Sequence, residues 1–178
     1  SGANLAAMIV KMGYKLILLF SEKNSAMAQL KGPALGKSLV VQHDNLLPDQ
    51  AQANRDTIEA IKEASRGCPV LAILPGAETG VPLADQLSSL FGTRSNGTDL
   101  SEARRNKHTM QETVRKAGIR GVAQRLCKSK EDCVEFFKSL PAPQICIVKP
   151  NESAGSDHVY KCSTVDEMVS AFMDIHGQ

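Results

Sequence analysis

The chain has 178 residues, of which 42% are hydrophobic and 22% charged, and its formal net charge is only +2. This balance is typical of a globular protein with a buried core, and it excludes a disordered tail or a basic protein that coats nucleic acid. The apolar runs are far shorter than the roughly 20 residues that span a bilayer, so we expect no membrane insertion. The small net charge offers no basic surface to nucleic acid, so we expect no nucleic-acid partner. We expect a cytoplasmic protein.

The cysteines are odd in number and contain no C-x-x-C pair. This spacing matches neither a zinc site nor a disulfide framework, so a reducing compartment is the simpler interpretation. The five are Cys68, Cys127, Cys133, Cys146 and Cys162.

The first half of the chain alternates helical patterns with short apolar runs, which is typical of α/β proteins with mostly parallel sheets. The patterns predict helices over 5–12, 49–67 and 81–91 and strands over 14–20, 38–42 and 69–74. A doubly wound lobe normally begins with a strand, whereas this chain begins directly with a helix and ends just after one. We therefore expect a sequence that is truncated at both ends.

The segment 93–98, TRSNGT, consists of polar and turn-forming residues and predicts a boundary between domains 1–98 and 99–178. Beyond this boundary the patterns predict three helices, three strands and one polar loop. In chain order these are a helix over 100–117, a strand over 121–127, a helix over 130–140, a strand over 144–149, a loop over 151–157, a strand over 158–162 and a helix after Thr164.

The segment GPALGKS, residues 32–38, resembles a phosphate-binding P-loop. It holds three residues between its glycines where that loop needs four, and it leads into a predicted strand instead of a helix. We interpret it as an ordinary turn.

Lys107 falls on the apolar stripe of the helix predicted over 100–117, together with Ala103, Met110 and Val114. A lysine there either extends its amine to solvent or points it at an anion. Helical periodicity alone leaves both interpretations open.

Lys149 ends the apolar run ICIVK, at the carboxyl end of a predicted strand, where open α/β sheets bind ligands. The loop that follows has small and hydroxyl side chains, which let backbone amides approach a phosphate closely. A plain hairpin loop is the alternative, and the two nearby lysines favour a phosphate site. The loop residues are Ser153, Ala154, Gly155 and Ser156.

Two long segments resemble a known family. ARRNKHTMQETVRKAGI, followed by IVKPNESAGSDHVYKC, resembles the first half of an ATP-grasp domain. The upstream ILPGAETGVPLADQLSSLFG and SGANLAAMIVKMGYKLILLF resemble the lobe that precedes this domain. The resemblance covers nearly the whole chain and is strongest to carboxylate-amine ligases that join amino acids, with glycinamide-ribonucleotide synthetase and biotin carboxylase more distant.

The resemblance implies a Rossmann-like lobe over 1–98, without its first strand, and an incomplete N-terminal α+β subdomain of the ATP-grasp fold over 99–178. It also implies an ADP-forming ligase that makes C–N bonds through an acyl phosphate. ATP and Mg²⁺ are then the expected cofactors, and a small-molecule carboxylate and amine the expected substrates. A homodimer is an open alternative for the assembly.

Residue by residue, Lys107 and Lys149 match lysines that hold the nucleotide's phosphates and adenine edge in this family. Ser153, Gly155 and Ser156 match the mobile loop over the phosphates, and Ala154 allows close approach.

Glu78 matches an acidic position near the substrate pocket, although a solvated loop carboxylate is the alternative. His158 departs from the glycine that relatives often carry there, and its bulk is expected to restrict loop closure.

The residues identify no general base, and no acidic pair at metal-binding spacing follows the loop. We expect the metal ligands to lie outside this chain, and we expect the chain alone to be inactive.

Two other classes of protein stay open. A non-catalytic nucleotide-binding module would keep both lysines, and a doubly wound domain without nucleotide would leave Lys107 on its apolar stripe unexplained.

Overall fold

The computed structural model of the chain describes residues 2–23, 38–153 and 156–177. The turn predicted over 32–38 lies outside these ranges except for Ser38, and so do the loop residues Ala154 and Gly155. The chain divides into two compact units, Ser1–Ser101 and Glu102–Gln178, which are described one at a time. Their assignment to the two lobes of an ATP-grasp enzyme stays a prediction.

The first unit combines helices with a small parallel sheet. Ile17 of the first strand lies opposite Leu39 of the second, and Phe20 lies opposite Gln42. The elements are α1 (Gly2–Lys11), β1 (Ile17–Phe20), β2 (Leu39–Gln42), α2 (Gln50–Ser65), a 3₁₀ helix (Glu78–Gly80) and α3 (Val81–Leu90), and α4 (Ser101–Arg105) crosses the boundary between the units. A parallel pair among helices supports the α/β class, and the Rossmann-like arrangement stays a prediction.

The core of this unit forms where α2 and α3 pack on the sheet. Val41 of β2, Ile61 of α2 and Leu83 of α3 are buried there, and Leu87 of α3 is completely buried. Burying such side chains supplies most of the free energy that holds the unit together.

Helix α2 begins and ends where the sequence predicts. The Asp49 carboxylate accepts a hydrogen bond from the Gln52 backbone N–H at 3.0 Å, and Arg66 and Gly67 adopt left-handed conformations after the last turn. In the middle of the helix, the buried Thr57 hydroxyl donates to the Ala53 carbonyl and lies 2.9 Å from Nδ1 of His43. Since that hydroxyl has a single proton, His43 must donate from Nδ1, which ties α2 to the end of β2.

The strand predicted over 69–74 is wrong, because this described segment joins no ladder. Val70 and Ile73 pack against the core, whereas Leu71 and Leu74 are 66% and 55% exposed. The two half-buried side chains, Val70 and Ile73, are therefore three positions apart, which does not match the two-residue alternation of a strand. The apolar run reflects side-chain packing, and Pro69 also lacks the N–H that a ladder needs.

The second unit is a β-hairpin covered by helices on one face. Cys146 pairs with Cys162 across the antiparallel ladder, and Val148 pairs with Tyr160. The elements are α5 (Lys107–Lys116), α6 (Lys130–Ser139), β3 (Cys146–Val148), β4 (Tyr160–Cys162) and α7 (Val165–His176). The core between the hairpin and helices α6 and α7 contains Cys133, Phe137, Cys162, Met168 and Ala171, with Cys146 and Val148 packed against it.

Helices α6 and α7 both begin at hydroxyl caps. Ser129 and Asp132 form a reciprocal capping box on α6, and Thr164 accepts from the Glu167 N–H on α7, as its sequence predicts. The backbone N–H groups of Lys128 and Ser129 lower the pKa of the Asp132 carboxyl, because they stabilise its charged form.

The five cysteines are free thiols. Burial raises the pKa of Cys133 to about 12 and that of Cys146 to about 11. The two thiols therefore stay protonated at neutral pH and pack as small apolar side chains.

Two predictions for the second half are wrong. The helix predicted over 100–117 is broken, because Asn106 has an extended backbone that separates α4 from α5. The strand predicted over 121–127 forms no ladder. Instead, the Val122 N–H donates to Oε1 of Gln111 at 3.0 Å, and the Val122 carbonyl accepts from the Arg115 guanidinium.

Among the helices in the described part of the chain, none combines the length and apolar character that crossing a membrane requires.

We expect Leu87→Ala to lower the free energy of unfolding by about 2 to 5 kcal/mol, since it leaves a cavity in the first unit's core. Leu90→Ala is the matched control, because Leu90 lies in the same helix but is 59% exposed. Urea unfolding of both variants measures the difference. Equal, small losses in the two variants would contradict the assignment of Leu87 to the core.

Candidate functional site

The site begins with the break before α5. Asn106 is extended, and its Oδ1 accepts a hydrogen bond from the Thr109 N–H at 2.9 Å. Asparagine is a preferred N-cap residue because its side chain satisfies an N–H that the first helical turn leaves unpaired. Lys107 is therefore the first residue of a new helix, which the apolar stripe did not predict.

The first turn of α5 is also tied to the loop that follows β3. The Lys107 backbone N–H donates to the Asn151 carbonyl at 3.1 Å, and the His108 N–H donates to Oδ1 of Asn151 at 3.0 Å. Together with the Asn106 cap, these bonds give partners to the N–H groups of residues 107, 108 and 109. The helix start consequently binds this loop.

The Lys107 side chain turns toward the same loop. Its Nζ lies 3.2 Å from both the carbonyl oxygen and the Oγ of Ser153, and 3.4 Å from the Asn151 carbonyl oxygen. Of the two interpretations left open, extension of the amine to solvent does not describe this half-buried contact. The structure brings Lys107 and Ser153 together, and their binding of an anion stays a prediction.

Lys149 lies directly after β3 and is exposed. Along the strand, Cys146 and Val148 face the core, whereas Ile147 is 55% exposed. The alternation of a strand places Lys149 on the same outer face as Ile147. Lys161 joins them there, because it is the ladder partner of Ile147 and is exposed. This outer face of the hairpin thus combines apolar surface with two lysines.

The remaining predicted residues are placed as follows. Ser156 is exposed with a left-handed backbone, φ 62°. His158 is also left-handed, φ 49°, which is a conformation that glycine adopts without strain. The His158 ring lies 3.0 Å from Oδ1 of Asp157 and 3.8 Å from Oδ2 of Asp174. Glu78 is exposed at the start of the 3₁₀ helix and belongs to the first unit.

A polar network that the sequence analysis did not identify lies behind the helix start. Nε2 of Gln124 donates to the His108 carbonyl at 2.9 Å and to Oε1 of Glu112 at 2.8 Å, and it is 3.1 Å from Nδ1 of His108. The hydrogen bond from Gln124 to Glu112 lowers the pKa of the Glu112 carboxyl, and the nearby Arg115 guanidinium lowers it further. The network holds the first two turns of α5 against the segment around Gln124.

The acidic side chains near the hairpin have other partners. Oε2 of Glu167 accepts from the Ser163 N–H at 2.7 Å, and Asp174 accepts from the Tyr160 hydroxyl, which raises the pKa of that phenol. Among the residues that the structure describes, no three His, Cys, Asp or Glu side chains group as metal ligands would.

Comparison with known proteins gives one informative similarity. The chain is 34% identical over 116 residues to dapdiamide A synthase from Enterobacter agglomerans, and the match covers 65% of this chain and 27% of that protein. The chain thus spans about a quarter of its relative's length. No family model matches the chain.

We expect Lys107→Met to lower the free energy of unfolding by about 1 kcal/mol, because it removes hydrogen bonds to the loop at a half-buried position. Lys116→Met is the control, since Lys116 is exposed at the other end of α5. Chemical unfolding of both variants tests this. If the free energy of unfolding of Lys107→Met equals that of the unmodified chain, the amine does not hold the loop.

Proposed function

We propose that this chain provides phosphate-binding residues of an ATP-dependent ligase that forms amide bonds. The observation that carries the proposal is the convergence of Lys107 and the end of β3 on one short loop. The Lys107 amine contacts Ser153, and Lys149 precedes Asn151 by two residues. The similarity to a synthase, and the family resemblance of the same segments, support it.

In the proposed site, the Lys107 amine exchanges a loop contact for a phosphate contact. In the present structure it donates to oxygens of Ser153 and Asn151. The ammonium attracts a charged phosphate oxygen more strongly than a neutral oxygen at the same distance. We propose that a polyphosphate that reaches the amine replaces one of these loop contacts.

The outer face of the hairpin fits the rest of a nucleotide. Ile147 and Val159 are 55% and 41% exposed on or next to the strands, and Lys149 and Lys161 lie beside them. Nucleotide pockets are mostly apolar, with a few charged groups that fix orientation. We propose that the base rests on this apolar surface while the lysines contact the phosphates.

The reaction we propose has two steps. A substrate carboxylate attacks the γ-phosphorus of ATP and releases ADP, which gives an acyl phosphate. An amine then attacks the acyl carbon, and inorganic phosphate leaves as the amide bond forms. Negative charge develops on the phosphoryl oxygens in the first step, so positively charged groups around them lower its barrier. Lys107 and Lys149 are our candidates for that role.

The magnesium that the family resemblance implies would supply further charge stabilisation when bound. No group of three potential ligands occurs among the described residues, and we assign no step in this chain to magnesium. Glu78 as a contact to the carboxylate or amine substrate, Ser156 as a phosphate contact and a homodimeric assembly stay proposals.

We expect Lys149→Ala to weaken ATP binding to the complete natural protein by about 1.5 to 3 kcal/mol, the value of one charge-assisted phosphate contact. Calorimetric titration with ATP and magnesium measures the change. Lys138→Ala is the control, because Lys138 is exposed on α6, the helix that covers the inner face of the hairpin. Equal affinities of the Lys149 and Lys138 variants would remove Lys149 from the site.

We expect this 178-residue chain alone to release no ADP in response to amino acids, because the family resemblance implies that the metal ligands lie outside it. Incubation with ATP, magnesium and mixed amino acids, followed by an ADP assay, tests this, with the complete natural protein as the positive control. Turnover by the chain alone at about 1 per second, an ordinary enzyme rate, would contradict the expectation. ATP binding without turnover by the complete protein would favour a non-catalytic nucleotide-binding module.

A further inference from the structure

Asn151 joins the loop after β3 to the first turn of α5 through both its backbone and its side chain. Its carbonyl accepts from the Lys107 N–H at 3.1 Å, and its Oδ1 accepts from the His108 N–H at 3.0 Å. The two bonds go to consecutive residues of the helix, so they fix the loop in position and in orientation. Asn151 and His108 are 43 positions apart along the chain.

The same residue lies between the two candidate lysines. Lys149 is separated from Asn151 only by Pro150, whose ring restricts the backbone angle φ to about −65°. Lys107 is bound to Asn151 directly, through its backbone N–H. The spacing between the lysines therefore depends on one short, stiff connection and on the bonds that Asn151 makes to α5.

The anchor is braced from behind. His108, which donates to Asn151, accepts from Gln124 through its carbonyl, and Gln124 also donates to Glu112. A shift of the Asn151 side chain would leave the His108 N–H without its acceptor at a half-buried position, which is unfavourable. The network thus holds the helix start in the position in which His108 donates to Asn151.

We propose that Asn151 is a positioning residue of the nucleotide site, which sets Lys107 and Lys149 in register for one polyphosphate. This inference rests on the proposed function. The Asn151 side chain accepts from the backbone N–H of His108, so its effect on the nucleotide acts through the backbone of α5 and of the loop.

The test compares variants at two positions in the complete natural protein. Asn151→Ala removes the side-chain acceptor, and Asn151→Ser, whose shorter side chain holds its oxygen farther from His108, replaces it if the alanine variant does not fold. Thr164→Ala is the matched control, because it removes a helix cap at the Glu167 N–H in the same unit, on α7, which packs on the inner face of the hairpin. ATP affinity is measured by calorimetry, stability by thermal unfolding, and anchoring by hydrogen exchange of the His108 amide.

We expect Asn151→Ala to raise the Kd for ATP about tenfold, the change that corresponds to one lost hydrogen bond, and to speed exchange of the His108 amide. Thr164→Ala should lower stability by a similar amount and change the Kd less than twofold. Asn151→Asp keeps an acceptor oxygen, and exchange of its His108 amide should stay slow.

Three outcomes would overturn the inference. An equal loss of ATP affinity in Thr164→Ala would show that only the stability of the unit matters. Unchanged affinity in Asn151→Ala, in a protein where Lys149→Ala weakens binding, would reject the positioning role and leave the proposed function intact. Absence of ATP binding by the unmodified complete protein would reject the proposed function, and the inference with it.

Discussion

The start of α5 is the constraint on which the candidate site depends. A helix leaves its first N–H groups without partners inside the helix, and here two asparagines supply the acceptors. Asn106 satisfies one from within the same segment, and Asn151 satisfies two from a distant loop. One main-chain bond and one bond to the Asn151 side chain join helix and loop, so they connect the backbones that carry Lys107 and Lys149.

Packing behind the hairpin explains why its other face is available to a ligand. Strands of three residues are too short to be stable alone, so β3 and β4 depend on α6 and α7, which fill the inner face with Phe137, Met168 and protonated thiols. The alternation of strand residues then leaves Ile147 and Lys161 on the outer face. The same core that stabilises the hairpin therefore presents a stiff surface with apolar and cationic groups.

Local signals were sufficient where the partner of a residue lies a few positions away. The caps at Asp49 and Thr164 and the left-handed end of α2 follow from such signals. The strands β1 to β4 follow from short runs of strand-like composition, although their ladder partners are distant in sequence. The sequence also contained a signal for the break at Asn106, since asparagine three residues before Thr109 is typical of a helix start, but the apolar stripe across it suggested one continuous helix.

The wrong strand over 121–127 and the unpredicted role of Asn151 share one physical cause. The segment around Val122 has strand-like composition, yet its backbone partners are side chains of Gln111 and Arg115 on α5. The bonds of Asn151 to α5 are of the same kind, and neither has a periodicity that composition or spacing could reveal. Family resemblance could point to Lys107 and Lys149, but not to the residue between them that connects their backbones.

The resting contacts of Lys107 also bear on which ligands this site would select. The amine that donates to the Ser153 oxygens carries a full positive charge, so its attraction to an anionic oxygen is stronger than to a neutral one at the same distance. A polyphosphate presents several anionic oxygens, which two lysines can contact together. In the proposed function, selection of a polyphosphate over an uncharged molecule of the same shape therefore comes from the charges of Lys107 and Lys149.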